Sequence, residues 1–249
     1  MGRILTIIPA RAGSKGIIKK NQLKISKYTL VERALFTALN CSYLKDIIVS
    51  TDSNEIQRIV NKYGAFSPFQ RPKKFATDLA GSLSVIKHGL NWAEENYRKK
   101  YDFVLLLEPP CPFRLPKHIS TAIEIAKKNQ VSSVVSLVKV EDCHPVRMKK
   151  MDSKGKLSGL IGNEPDGVRR QDQEDIYIRN SAVYLFNRQI IDRNQLWGES
   201  PYGFEMDRKL YSINIDEPND YLLAKAFYSK MKKENKLKLI ESLPVNLLP

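Results

Sequence analysis

The sequence predicts an α/β fold, a Rossmann-like, doubly wound and mostly parallel sheet with a small excursion, in one domain of residues 1–249. Four apolar runs rich in β-branched residues have the length of buried strands, at residues 4–8, 46–50, 103–107 and 133–138. Between them, apolar residues recur at helical spacing. Strands that alternate with helices form parallel sheets through crossovers, and continuous apolar strands are covered by helices on both faces.

Each predicted helix has one apolar face that packs on the sheet. A further helix is expected at residues 54–62, strands at 182–186 and 211–215, and a last helix at 217–235, where Pro218 suits the first turn. The three principal faces are Leu30, Ala34, Leu35 and Ala38; Leu83, Ile86, Leu90 and Ala93; and Ile119, Ala122, Ile123 and Ala126.

The alternation stops at residues 141–179, which are polar and rich in turn signals such as Lys154-Gly155 and Asp166-Gly167. This segment is interpreted as hairpins that leave the main sheet. A lid and an oligomer contact both fit that pattern.

The charge balance favours an anionic partner. The chain has 41 basic and 27 acidic side chains, a net charge of +14, which suits a nucleotide, an acidic sugar, nucleic acid or a membrane surface. The basic residues form no stripe interleaved with aromatic residues, which argues against nucleic acid, and no apolar run has the length of a membrane span.

The cysteines indicate a reducing compartment. Cys41, Cys111 and Cys143 are far apart and odd in number, so they are expected to be free thiols. Because no signal-peptide pattern is seen at the Met1 end, the expected compartment is the cytoplasm.

The strongest functional signal is a basic, glycine-containing loop directly after the first strand. Residues 7–21 read IIPARAGSKGIIKKN. Glycine lets backbone N–H groups approach a ligand closely, and a strand end in an open α/β sheet is where phosphates bind. The loop matches neither the Walker A pattern nor G-x-G-x-x-G, and an ordinary basic turn is the alternative. Its glycines are Gly13 and Gly16, its cations are Arg11, Lys15, Lys19 and Lys20, and Ser14 adds a hydroxyl.

Two later loops also follow strands. Asp52 fits a substrate ligand or a helix N-cap, and the cap is the favoured interpretation. Three prolines stiffen residues 108–114, where Arg114 is placed to reach an anion unless the loop is purely structural.

Arg71 and Asp78 lie in a loop before the helix that follows. Asp78 suits the cap of that helix, and Arg71 suits a phosphate or a base. At the end of the predicted strand 211–215, Asp216 fits a Mg²⁺ ligand and a helix N-cap equally well.

These motifs, in this order, resemble the acylneuraminate cytidylyltransferases, which are the CMP-sialic acid synthetases and their relatives acting on legionaminic, pseudaminic and octulosonic acids. The resemblance covers nearly the whole chain. It rests on IPARAGSKGIIKKN at residues 8–21, VSTD at 49–52, Arg71-Pro72 with Ala76 and Asp78, the loop from Leu107 to Arg114, Arg170-Gln171, Asn180-x-Ala182-x-Tyr184, and INIDEPND at 213–220.

The resemblance implies a reaction of CTP with a 2-keto-3-deoxy sugar acid, giving a CMP-sugar and pyrophosphate, in a homodimer whose arm is the segment 141–179. It implies catalytic roles for Arg11, Lys15, Lys20 and Asp216. The nucleotide-binding residues would be Arg11, Ala12, Gly13, Ser14, Lys20, Asn21, Arg71 and Asp78; the sugar-binding residues Glu108, Arg114, Arg170, Gln171, Tyr177 and Asn180; and the Mg²⁺ ligands Asp216 and Asn214.

Two residues depart from the family pattern. Asn214 stands where relatives usually have a second metal-binding aspartate, and Glu108 stands where they usually have glutamine. An ionised glutamate cannot donate a hydrogen bond, so a variant sugar acid is one expectation. A different nucleotide and a non-catalytic nucleotide-binding homologue are the others.

Overall fold

The computed structural model describes residues 2–13, 16–77, 81–141, 143–162, 169 and 173–241. Its centre is a six-stranded sheet in the order β10-β6-β9-β5-β1-β4. β1 is parallel to β4 and β5, β10 is parallel to β6, and β9 runs antiparallel to β5 and β6. The strands are β1 Ile4–Pro9, β4 Asp46–Ser50, β5 Phe103–Leu106, β6 Ser133–Lys139, β9 Tyr177–Asn187 and β10 Pro201–Glu205.

Helices cover both faces of this sheet, as the apolar strands predict. One buried cluster joins the sheet to α1, α2, α4 and α7, and the other joins it to α3 and α5. Leu5 and Ile8 of β1 lie in different clusters, and both are fully buried. The helices are α1 Leu30–Leu39, α2 Asn54–Asn61, α3 Ser82–Tyr97, α4 Pro116–Lys128, α5 Arg188–Asp192, α6 Arg208–Tyr211 and α7 Pro218–Lys233.

One predicted strand is wrong. Residues 211–215 do not join the sheet: α6 ends at Tyr211, and the segment after it runs irregularly to α7. Its alternating pattern has another cause, because Tyr211 and Ile215 are buried in the main core while Ile213 is packed against that core. The sixth strand is instead β10, which carries Gly203 and Pro201 and shows a weak strand signal.

A pronounced irregularity interrupts β9 where it passes β6. Val135 pairs with Tyr184, but Leu137 pairs with Arg179, so β9 carries extra residues opposite Ser136. The Ser136 side chain fills the gap: its Oγ donates to Asn180 Oδ1 at 2.6 Å and accepts from the Val183 N–H at 2.8 Å. Ser181, inside the bulge, has φ 57°, a conformation that costs a non-glycine residue about 1–2 kcal/mol. Bulges of this kind redirect side chains.

The predicted excursion contains a small hairpin. β7 Lys149–Met151 and β8 Leu157–Gly159 form a separate antiparallel pair, apart from the two-stranded β2 Lys24–Ile25 and β3 Tyr28–Thr29. The hairpin is exposed, and its apolar side chains Met151 and Leu157 are 72% and 59% accessible. Within the described ranges, no helix combines the length and the apolar character needed to cross a membrane.

Candidate active site

A cleft of about 540 Å³ opens at the carboxyl edge of β1 and β5. It brings together segments that are far apart in sequence, as expected at the carboxyl ends of parallel strands. Of the predicted site residues, it includes Arg11, Lys20, Asn21, Arg71, Glu108, Asn214 and Asp216 in its lining, together with Pro9, Gly16, Ser82, Val85, Leu106, Pro109, Pro110, Ser181 and Glu217.

The loop after β1 is held in place by its own side chains and by a neighbouring strand end. The Ala12 N–H donates to Asp52 Oδ1 at 2.8 Å, and Asn21 Nδ2 donates to the Arg11 carbonyl at 2.9 Å. Asp52 is therefore a support for the loop. The predicted cap at this position is made by the adjacent Ser53, whose Oγ accepts from the Ile56 N–H at 3.2 Å.

Gly16 is needed for a close approach rather than for an unusual φ. A Cβ on Gly16 would lie 2.2 Å from the Asp216 carbonyl oxygen, whereas a Cβ on Gly13 would meet nothing within 4 Å. The loop thus packs directly on the backbone of the segment that carries Asp216. This contact explains how residues 16 and 216 come to line one cleft.

Lys20 and Asp216 form an ion pair in the cleft. Lys20 Nζ lies 2.7 Å from Asp216 Oδ1, and the side chain of Asp216 remains 59% exposed. Asn214 Nδ2 donates to the second oxygen of Asp216 at 2.5 Å. Asp216 does not cap α7, because the N-cap residue is Glu217. The carboxylate therefore faces the cleft with both oxygens oriented by neighbours.

Arg71 is buried beneath the loop. Its Nε donates to Ser50 Oγ at 3.0 Å, and its Nη2 donates to the Ser50 carbonyl. Burial lowers the pKa of Arg71 to about 10, opposed by the charge of Asp52, so the guanidinium stays positive at neutral pH. It supplies fixed positive charge behind the region that Arg11 and Lys20 line.

Glu108 also lines the cleft. Burial raises the pKa of its carboxyl, while Arg114 opposes that shift, the charge of Asp216 raises it further, and a hydrogen bond with Ser181 lowers it. Tyr184 Oη donates in turn to Ser181 Oγ at 3.3 Å. The bulge in β9 thus places a hydroxyl against the Glu108 carboxyl.

Two predicted sugar ligands, Arg114 and Asn180, are buried and hydrogen-bonded within the fold. Arg114 is 2% exposed, and its Nη1 donates to the carbonyls of Glu108 and Ala182 at 3.2 and 2.5 Å. Asn180 is 5% exposed and bonded to Ser136. Arg114 therefore holds the proline loop against β9, and Asn180 holds the bulge against β6.

The remaining predicted residues lie elsewhere. Tyr177 begins β9, is 44% exposed and pairs with Lys139, and it is not among the described residues that line the cleft. Ala12 and Gly13 lie in the described part of the loop. Ser14, Lys15, Asp78, Arg170 and Gln171 fall outside the described residues.

Sequence reasoning missed Ser181, Ser82 and Glu217. Ser181 follows Asn180 in a motif that was recognised, but no local pattern indicates a bulge that turns residue 181, rather than residue 180, into the cleft. Ser82 begins α3 and Glu217 directly precedes α7. The predicted starts of these two helices were therefore the sequence signal that could have indicated Ser82 and Glu217.

The chain matches the family model described as Cytidylyltransferase over residues 5–243. It belongs to the cytidylyltransferase family. Among curated members, the N-acylneuraminate cytidylyltransferase of Streptococcus agalactiae is 32% identical over 94% of this chain and 56% of its own length. The CMP-N,N'-diacetyllegionaminic acid synthase of Legionella pneumophila is 32% identical over 89% of this chain and 94% of its own. The chain thus spans about half the length of the streptococcal relative.

Two solved structures share the fold of this chain. A CMP:2-keto-3-deoxy-manno-octonic acid synthetase complexed with CTP aligns with a TM-score of 0.65 at 16% identity, covering 93% of this chain and 99% of that chain. A 4-diphosphocytidyl-2C-methyl-D-erythritol synthase from Anaerococcus prevotii gives 0.65 at 17% identity, with 91% and 96% coverage. Both likenesses confirm the predicted α/β architecture.

Proposed function

We propose that this protein is a cytidylyltransferase that couples CTP to a sialic-acid-like 2-keto-3-deoxy sugar acid, giving a CMP-sugar and pyrophosphate. Family membership and the named relatives support the reaction class. The observation that carries the proposal is the cleft, in which a basic loop faces a carboxylate at the edge of the sheet.

In this reaction, the anomeric hydroxyl of the sugar acid attacks the α-phosphorus of CTP in line, and pyrophosphate leaves. A triphosphate and a sugar carboxylate repel each other, so catalysis requires positioning and neutralisation of charge. Arg11 and Lys20 line the phosphate side of the cleft. The buried Arg71 adds a further positive charge to the same cleft.

The cleft fits a divalent cation that is shared with the substrate phosphates. Asp216 presents an exposed carboxylate beside the loop, and Mg²⁺ in nucleotide sites takes one or two carboxylates together with phosphate oxygens. In the described ranges, no group of three or more His, Cys, Asp or Glu side chains could hold a metal ion, so the proposed cation would take part of its ligands from CTP. When bound, Mg²⁺ would neutralise phosphate charge and acidify the attacking hydroxyl.

We also propose that the excursion at residues 141–179 is a dimerisation arm. Its hairpin exposes Met151 and Leu157, and Ile161 shortly after the hairpin is 64% accessible. Exposed apolar side chains of this kind favour burial against a second copy. We place the reaction in the cytoplasm, for which the three free cysteines are the support.

Pyrophosphate release tests the function. The protein should release pyrophosphate with CTP and a nonulosonic or octulosonic acid when Mg²⁺ is present, and should release little with ATP, GTP or UTP. Absence of turnover with every pair, alongside measurable CTP binding, would leave a non-catalytic nucleotide-binding protein. A preference for another nucleotide would refute the assignment of CTP.

A further inference from the structure

Asn214 turns its amide nitrogen, not its oxygen, toward Asp216. A carboxylate only accepts hydrogen bonds, so Asn214 Nδ2 is the group that meets Asp216 Oδ2 at 2.5 Å. The amide oxygen is then directed away, 3.5 Å from the Sγ of the buried Cys111. Because the oxygen faces the thiol, Asn214 orients Asp216 and does not present a metal ligand to the space that Asp216 faces.

Glu108 supplies a second carboxyl group to the same cleft. Its loop lies directly beside the segment that carries Asp216, since the Ile215 N–H donates to the Pro110 carbonyl at 3.0 Å. Glu108 and Asp216 both line the cleft. A divalent cation between two carboxylates that line one cleft would offset their mutual repulsion.

We propose that Glu108 replaces the missing carboxylate at position 214, so that Glu108 and Asp216 together hold the divalent cation while Asn214 positions Asp216. The inference rests on the proposed Mg²⁺-dependent function. The two departures from the family pattern then compensate each other, because the number of carboxylates facing the cation is kept at two. The hydroxyl of Ser181, held by the bulge in β9, keeps the Glu108 carboxyl in place.

Calorimetric titration with CTP, without a sugar acid, measures this role apart from turnover. The probe is CTP, titrated once with Mg²⁺ in excess and once with EDTA. The readout is the Mg²⁺-dependent gain, which is the ratio of the CTP affinity with Mg²⁺ to the CTP affinity with EDTA. We expect Glu108→Gln to reduce the Mg²⁺-dependent gain by about tenfold, as for the loss of a metal-site partner. Adding Asn214→Asp to that variant returns a carboxylate to position 214 and should restore the gain to within about threefold of the wild type.

Glu95→Gln is the control, since Glu95 is an exposed carboxylate of α3 that does not line the cleft, and it should leave the Mg²⁺-dependent gain nearly unchanged. An unaltered gain in Glu108→Gln would overturn the inference. A loss that Asn214→Asp does not reverse would overturn it too. If the wild-type protein binds CTP equally with Mg²⁺ and with EDTA, the proposal that Glu108 and Asp216 share a cation is refuted, and the proposed CTP binding is not. If the wild-type protein does not bind CTP, the proposed function itself is refuted.

Discussion

Adding one methyl group at Gly16 should disable the cleft. The Cβ of Gly16→Ala would lie 2.2 Å from the Asp216 carbonyl oxygen, whereas carbon and oxygen ordinarily approach to about 3.3 Å. The loop must therefore move by about 1 Å relative to Asp216. A displacement of that size at a reacting centre costs about a hundredfold in rate, which corresponds to about 2.7 kcal/mol of transition-state stabilisation.

The assay is kcat/KM for CTP, measured by pyrophosphate release. Gly81→Ala is the control, because Gly81 has φ −62° and ψ 153°, which alanine adopts freely, and a Cβ there meets nothing within 4 Å. It should change kcat/KM by no more than about twofold, in line with about 0.5 kcal/mol for exposed substitutions. Equal activity of Gly16→Ala and wild type would refute the claim that contact between the loop and residue 216 sets the geometry.

Three further predictions concern stability and the carboxylate. Burial lowers the pKa of His118 to about 3, so between about pH 6.5 and about pH 3 only the unfolded chain takes up this proton. His118 should therefore lower the free energy of unfolding by about 1.4 kcal/mol for each pH unit of acidification in that range, and urea melts of His118→Phe should lack this contribution. Arg114→Met removes the Arg114 donor from the Ala182 carbonyl and leaves the Glu108 carbonyl only the Cys111 N–H at 3.4 Å, so it should lower that free energy by about 1–3 kcal/mol. The exposed Arg58→Met should not lower it, and an unchanged value in Arg114→Met would contradict the structural role. Asp216→Ala should reduce turnover at least about a hundredfold with an unaltered melting temperature; retained turnover would exclude Asp216 from catalysis.

The central strands and the helices were predictable because their signals are local. The run at residues 46–50 is β4 as predicted, and the pattern from residue 217 corresponds to α7. The segment 211–215 was mistaken for a strand because alternate burial of Tyr211 and Ile215 looks the same whether or not the backbone joins a ladder. β10 pairs with β6 in spite of its weak strand propensity, and only the tertiary pairing supplies that information.

The side-chain roles were less predictable. Arg114 and Asn180 lie in recognised motifs, yet their donors and acceptors are used by the proline loop and by the bulge. Ser181 reaches the cleft because three additional residues of β9 bulge opposite Ser136, and no sequence period records that shift. Whether a side chain binds a ligand or supports the fold depends on where neighbouring segments of the same chain place its hydrogen-bond partners.

The sequence by itself determined the chemistry available at the carboxyl edge: a basic glycine loop after β1, an aspartate before α7, and a glutamate and an asparagine at two unusual positions. These features follow from residue type and from the succession of strands and loops along the chain, which can be read from the sequence. The tertiary structure decided which way each group faces. It paired Lys20 with Asp216, directed the oxygen of Asn214 to Cys111 and placed Glu108 in the same cleft as Asp216, because those orientations depend on contacts between segments about a hundred residues apart or more.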